Sequence, residues 1–142
     1  YNYLRVYVPE ISRLVSGPQH LVPAETWYGG YDWDRPTEIH KEPPGFTAFA
    51  NFMLVPKASE LQSQYRYTLP ATITQDVGRN KQYQLRLYKQ AGAPEQPVEI
   101  AVTIPQDAKF LSAQPQPTAV ENKTIFFNIN LNSDQTIMVT YN

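Results

Sequence analysis

Aromatic and acidic side chains are concentrated in one stretch of the sequence, TWYGGYDWDRP at residues 26–36, which holds both tryptophans of the chain. Flat aromatic faces stack on the C–H-rich faces of sugar rings, and carboxylates accept hydrogen bonds from hydroxyl groups. Tryptophan and tyrosine also offer a large contact area for little loss of side-chain entropy. We therefore predict a ligand-binding loop with six candidate contact residues: Trp27, Tyr28, Tyr31, Asp32, Trp33 and Asp34. The alternative is that one or both tryptophans fold back as a lid over an open end of the domain.

The two aspartates of this stretch could form a carboxylate pair. Residues two apart in an extended segment point to the same side, roughly 6–7 Å apart, which is compatible with a glycosidase pair. The simpler interpretation is a solvated acidic edge beside Trp33. Together with Glu38 and His40 the aspartates could also form a metal site, but the sequence lacks the EF-hand pattern and the number of oxygen ligands that Ca²⁺ requires.

No recognised catalytic motif occurs in the sequence. The nucleophile elbow, the phosphate-binding loop and the dinucleotide fingerprint are all missing from the 142 residues. We therefore expect no catalytic residue, no metal, no cofactor and no enzymatic activity.

Charge and composition restrict the classes of partner. The formal net charge is −1 and the twelve Lys and Arg residues are spread singly, so we expect neither a nucleic-acid partner nor direct membrane contact. Residues 17–45 carry five carboxylates against one Arg and one Lys, a net charge of −3, which favours a cationic or hydroxyl-rich partner. The absence of cysteine excludes disulfides and thiol chemistry, and no apolar run approaches the ~20 residues of a membrane-spanning helix.

Alternation of apolar and polar residues predicts an all-β protein. Nine runs with a period of two are separated by turn signals, which is typical of an immunoglobulin-like antiparallel β-sandwich. The predicted strands are 3–8, 13–16, 46–55, 61–69, 83–89, 98–104, 109–112, 124–131 and 136–141. The third and fourth are expected to form a hairpin through 57–60. Residues 17–45 break this periodicity and predict a long loop.

The sequence partly repeats itself. VYVP at 6–9 followed by LVS at 14–16 matches VTIP at 102–105 followed by FLS at 110–112, an offset of 96 residues from Pro9 to Pro105. FANFML at 49–54 matches FFNINL at 126–131, an offset of 77 from Asn51 to Asn128, and Tyr67 corresponds to Tyr141. We expect one domain over 1–142 with sub-units 1–70 and 83–142, either as two halves of one sandwich or as two small sandwiches in line. The loop 17–45 is then an insertion that the fold does not require.

Four motifs resemble the C-terminal region of a family of large bacterial envelope proteins of unknown function. They are NYLRVYVPE at 2–10, FANFMLVP at 49–56, YRYTLP at 65–70 and YQLRLYKQAG at 83–92. Family members look like membrane-anchored proteins with this β-rich region outside the cell. The resemblance covers most of residues 2–105, but the family has a short Gly-rich or acidic loop where this chain has the long aromatic one. It implies no catalytic residue.

The expected function is that of a non-catalytic extracellular interaction module of a bacterial cell-envelope protein. We expect the sequence to be a fragment of a longer chain, anchored in the membrane by a segment outside it. Its partner would be a protein or a glycan of the cell surface. Two alternatives remain open at this point: a purely structural spacer that packs on a neighbouring domain, and a carbohydrate-binding module that uses the aromatic loop.

Overall fold

Twelve β-strands and two short 3₁₀ turns make up the computed structural model, which describes residues 1–142. The chain divides into two compact units, unit 1 at Tyr1–Ala71 and unit 2 at Thr72–Asn142. Unit 1 contains β1 (Asn2–Pro9), β2 (Arg13–Ser16), β3 (Glu38–His40), β4 (Phe46–Met53) and β5 (Arg66–Thr68). Unit 2 contains β6 (Thr74–Val77), β7 (Asn80–Leu87), β8 (Gln96–Thr103), β9 (Phe110–Gln114), β10 (Ala119–Glu121), β11 (Thr124–Leu131) and β12 (Gln135–Tyr141). The prediction of an all-β, antiparallel protein is confirmed. No helix is long and apolar enough to cross a membrane.

Unit 1 has a three-stranded sheet in the order β1-β4-β3 and a two-stranded sheet of β2 and β5. Phe49 of β4 is fully buried, and its ring lies 5.7 Å from that of Tyr67 of β5, so side chains of both sheets share this core. Because successive residues of a strand point to opposite faces, Phe52 lies on the other face of β4. We call that face the outer face of the sheet, and the candidate site is built on it.

The predicted hairpin of 46–55 with 61–69 is wrong. β4 pairs with β1 and β3, and β5 pairs with β2 in the other sheet. Both edges of β4 are therefore occupied, and the segment that follows β4 leads the chain out of its sheet. Alternation in a sequence predicts strands but does not specify their partners.

Unit 2 contains the sheets β10-β11-β8 and β6-β7-β12-β9. Alternate residues of β11 and β12 meet in one buried cluster, together with two residues that follow β8. Its members are Ile104, Ala108, Ile125, Phe127, Ile137 and Val139. The period of two that predicted these strands thus corresponds to the inward faces of two sheets that share a core.

The two units share a pattern of strand pairing. β1 pairs with β4 as β8 pairs with β11, and β2 pairs with β5 as β9 pairs with β12. Leu14 lies opposite Tyr67 and Phe110 lies opposite Tyr141, as the repeated sequence suggests. The register then shifts in both pairs, which leaves Val15 and Leu111 as the unmatched residues. Both units therefore have a β-bulge at the same position of the repeat, and such a bulge is a specific local feature of a strand pair.

The match between β4 and β11 at an offset of 77 is wrong by one residue. Val8 lies opposite Thr47, and its counterpart Ile104 donates its N–H to the carbonyl oxygen of Lys123, at 2.9 Å. The structural offset is therefore 76, which places Phe49 at the position of Ile125, and both are fully buried. A slip of one residue exchanges the two faces of a strand.

The correspondence between the strands of the two units also shows where unit 1 is longer than unit 2. β3 pairs with β4 as β10 pairs with β11, with Ile39 opposite Phe49 and Val120 opposite Ile125. Residues 17–37 of unit 1 therefore occupy the place of residues 115–118 in unit 2. β3 itself lies within the segment 17–45 that was predicted to be a long loop.

Candidate functional site

The loop 17–37 is held together by its own backbone and by polar side chains. Val22 and Trp33 exchange backbone hydrogen bonds of 2.8 and 2.9 Å, and Val22 is fully buried. The Thr37 hydroxyl donates to the carbonyl oxygen of Pro18 at 2.8 Å, and Asn51 of β4 donates to the same oxygen at 3.2 Å. These contacts pin the loop to the sheet of unit 1.

The two predicted aspartates accept hydrogen bonds from other residues of the same loop. Asp32 accepts a hydrogen bond from the backbone N–H of Ala24 at 2.8 Å, and Asp34 accepts one from the Gln19 amide at 2.9 Å. Both are exposed, and neither lines the cavity described below. The structure thus places Asp32 and Asp34 as loop-stabilising acceptors and not among the cavity residues.

Trp27 is the centre of an aromatic cluster. Its ring centroid lies 4.7 to 5.9 Å from the rings of four neighbours, and its indole N–H donates to the carbonyl oxygen of Tyr31 at 2.7 Å. Those neighbours are Tyr28, Tyr31, Trp33 and Phe52. Gly29 lies directly beside the Trp27 indole, which a Cβ at that position would overlap. Gly29 therefore leaves the space into which the indole folds back.

Both tryptophans fold back onto the sheet of unit 1. Trp27 and Trp33 are half-buried, and both pack on Phe52, at 5.9 and 5.8 Å between ring centroids. Since Phe52 lies on the outer face of the sheet, the two indoles cover that face, whereas Pro18 of the same loop contacts Asn51 on the opposite face. The alternative of a lid over an open end of the domain stays a prediction.

A cavity of about 490 Å³ opens between the loop and the outer face of the sheet. Its walls are six aromatic rings and one carboxylate. The lining residues are Tyr1, Tyr3, Trp27, Tyr28, Trp33, Glu38 and Phe52. We call this cavity the aromatic pocket. Of the predicted contact residues, the structure brings Trp27, Tyr28 and Trp33 into it, and Tyr31 packs against Trp27 without lining it.

The polar wall of the aromatic pocket is a small hydrogen-bonded group. Tyr3 of β1 donates its hydroxyl to the Glu38 carboxylate of β3 at 2.7 Å, so this bond spans the central strand β4. Nε2 of His40 lies 3.2 Å from the same carboxylate oxygen and 3.3 Å from the Tyr3 hydroxyl. On β4, Ala50 lies opposite Glu38 and Ala48 lies opposite His40, and both alanines are fully buried.

Glu38 is held in its charged form. The hydroxyl of Tyr3 is the largest cause of a lowered pKa of the Glu38 carboxyl, and partial burial opposes it. His40 and the charge of Arg35 lower the pKa further. The pKa of Tyr3 is raised, first by burial and then by the neighbouring carboxylate. The pocket therefore presents a carboxylate, and not a carboxylic acid, at neutral pH.

Tyr3→Phe is expected to raise the pKa of Glu38 towards the ordinary glutamate value, because the donor that stabilises the carboxylate is removed. Since the pKa is lower in the folded than in the unfolded chain, the stability from this bond exists above the unfolded pKa. It is lost as the pH falls through the folded value. An NMR titration of the Glu38 carboxyl carbon measures the shift. Tyr28→Phe is the matched control, and an unchanged pKa in Tyr3→Phe would contradict the role of the hydroxyl.

Four of the seven residues that line the aromatic pocket were not predicted from the sequence as ligand contacts. Tyr3 and Phe52 belong to predicted strands, Tyr1 lies outside the predicted elements, and the sequence suggests Glu38 only as a metal ligand and as one carboxylate of the acidic segment 17–45. A signal was present in β1, where Tyr3, Arg5 and Tyr7 alternate on the face opposite the core. Large amphipathic side chains on an outer strand face are a reason to look for a binding surface.

No three side chains of His, Asp or Glu come together in a way that could hold a metal ion.

Comparisons with models of protein families, with curated proteins and with solved structures found no match. The aromatic pocket is therefore the feature of this protein that indicates a function.

Proposed function

We propose that this protein is a non-catalytic binding module and that the aromatic pocket of unit 1 is its ligand-binding site. The observation that carries the proposal is a concave site with six aromatic rings and a single carboxylate. Its volume of about 490 Å³ falls in the range of ~300–1,000 Å³ that is usual for small-molecule sites. Such sites are mostly apolar, with a few polar groups that orient the ligand.

The setting of this module is part of the same proposal. The resemblance to bacterial envelope proteins supports an extracellular domain of a membrane-anchored protein, whose partner is a protein or glycan of the cell surface. The pairing pattern shared by the two units supports two related immunoglobulin-like sandwiches. In this arrangement unit 2 carries the repeated framework with the short connection 115–118, and unit 1 carries the same framework with the binding loop.

Carbohydrate is one ligand class that the walls of the pocket support. Tyr28 is fully exposed and Tyr1 is more than half exposed, so both can present a ring face to a sugar. Glu38 and the Tyr3 hydroxyl lie beside them and can bond sugar hydroxyl groups. A purely structural spacer would have no use for this open pocket.

Ligand binding is expected to change tryptophan fluorescence, because both tryptophans of the chain line the aromatic pocket. A screen with cell-wall glycan fragments, surface peptides and small organic ions should give at least one saturable response. Trp33→Phe should weaken that response by roughly tenfold or more, given the weight of central aromatic residues in binding sites. Tyr88→Phe, an exposed site in unit 2, is the matched control. A folded protein that responds to no member of the screen would favour the spacer.

A further inference from the structure

The rings around the aromatic pocket already hold cations on their faces. The guanidinium of Arg35 lies 4.3 Å from the centre of the Trp33 ring, and that of Arg5 lies 5.0 Å from the centre of the Tyr3 ring. Arg5 is also paired with Glu42 at 3.6 Å. A cation over an aromatic face is attracted by the quadrupole of the ring. The rings of this cluster thus attract cations, and Arg35 and Arg5 occupy one face of Trp33 and one face of Tyr3.

The Glu38 carboxylate forms no direct ion pair with a lysine or arginine, although the charge of Arg35 acts on it from a longer distance. No lysine or arginine nitrogen lies within 4.0 Å of its carboxylate, and its one basic neighbour at that distance is His40, at 3.2 Å. Glu38 is half-buried in the pocket wall. A carboxylate in a mostly apolar pocket gains from a ligand of opposite charge, since the surrounding rings screen it less than water does.

The arrangement of the rings favours a compact, rounded group. The Trp27 and Trp33 planes meet at 87°, the Trp33 and Phe52 planes at 79° and the Trp27 and Phe52 planes at 53°, while Tyr1 stacks on Phe52 at 13°. Walls at right angles form a corner that contacts a rounded group from several sides.

From these three observations we propose that the aromatic pocket binds a methylated ammonium group of the choline type. The methyl groups would contact the ring faces, and Glu38 would supply the opposite charge. Aromatic cages are the general solution for quaternary ammonium recognition. This inference rests on the proposed function and names its ligand class.

The decisive experiment compares choline with its neutral carbon analogue, in which a tert-butyl group replaces the trimethylammonium group. Both have the same shape, so hydrophobic burial is matched and the charge alone differs. Isothermal titration calorimetry on the full chain should show that choline binds about tenfold or more tightly than the analogue, as expected for a cation over partly desolvated rings. Equal affinities for the two compounds would overturn the proposal.

Glu38→Gln tests the carboxylate separately. The amide can still accept the hydrogen bond from Tyr3, so circular dichroism should show an intact fold. Choline affinity should fall several-fold, with no change for the neutral analogue. Glu60→Gln, an exposed site in unit 1 with the same change of charge, should bind choline like the parent protein. A Glu38→Gln protein that binds choline unchanged would count against the proposal.

The outcomes also separate this inference from the proposed function. Binding of a glycan or peptide that depends on Trp33, without any binding of choline, would overturn the ammonium inference and leave the binding module intact. Failure of both choline and the whole fluorescence screen would overturn both.

Discussion

Trp27→Ala is expected to lower the free energy of unfolding of unit 1 by about 3 kcal/mol, the low end of the range for replacement of a large packed aromatic residue. The variant loses the ring contacts with Tyr28, Tyr31, Trp33 and Phe52. It also loses the hydrogen bond from the indole to the Tyr31 carbonyl oxygen, which contributes about 1 kcal/mol. Urea unfolding followed by circular dichroism measures the effect without relying on tryptophan emission.

Tyr28→Ala is the control for this prediction. Tyr28 is the neighbouring ring in the sequence, but its side chain is fully exposed, so its removal should change stability by no more than ~0.5 kcal/mol. Both variants should weaken ligand binding, because both residues line the aromatic pocket. If Trp27→Ala were as stable as the parent chain, the indole would not organise the loop. Trp27 would then be a ligand contact only.

Phe127→Ala is expected to destabilise unit 2 by about 3–5 kcal/mol, whereas Phe126→Ala should cost about 1 kcal/mol. Phe127 is 1% exposed and belongs to the core that β11 shares with β12. Phe126 is half-buried on the opposite face of the same strand. Thermal and urea unfolding of the two variants provide the comparison.

This pair of variants also tests the register of the repeat. The match at an offset of 77 makes Phe126 the counterpart of the buried Phe49, and the structural offset of 76 assigns that place to Ile125. A loss of stability in Phe126→Ala as large as in Phe127→Ala would contradict the structural register. Phe126 and Phe127 have the same side chain but lie on opposite faces of the strand, so the two variants differ in the face that is changed.

Much of the framework could be predicted because alternation is a local property. A strand that packs one face on a core must place apolar residues at every second position, whatever its partner. The runs at β1, β8, β11 and β12 were predicted in this way. The repeat was visible for the same reason, and it identified the correspondence of Leu14 with Phe110 and of Tyr67 with Tyr141. The short strands β3, β6 and β10 were not predicted; three or four residues carry little periodicity, and among the strands of that length only β2 was predicted with its observed bounds.

The candidate site could be predicted only in part. Trp27, Tyr28 and Trp33 were found because they lie together in one unusual loop. Asp32 and Asp34 were also selected, but their oxygens accept hydrogen bonds from Ala24 and Gln19. Whether a loop carboxylate faces a ligand or its own backbone depends on the path of the chain, which residue type does not specify.

By itself, the sequence determined an all-β chain, a repeated framework and one aromatic loop that interrupts it. Only the tertiary structure decided that Tyr3 and Phe52 would form the wall of the aromatic pocket with Glu38 beside them. These residues belong to β1, β4 and β3, which are far apart along the chain and meet through pairing in one sheet. The physical reason is that a side chain's face is set by local geometry, whereas its neighbours are set by non-local strand pairing, in which a slip of one residue exchanges the faces.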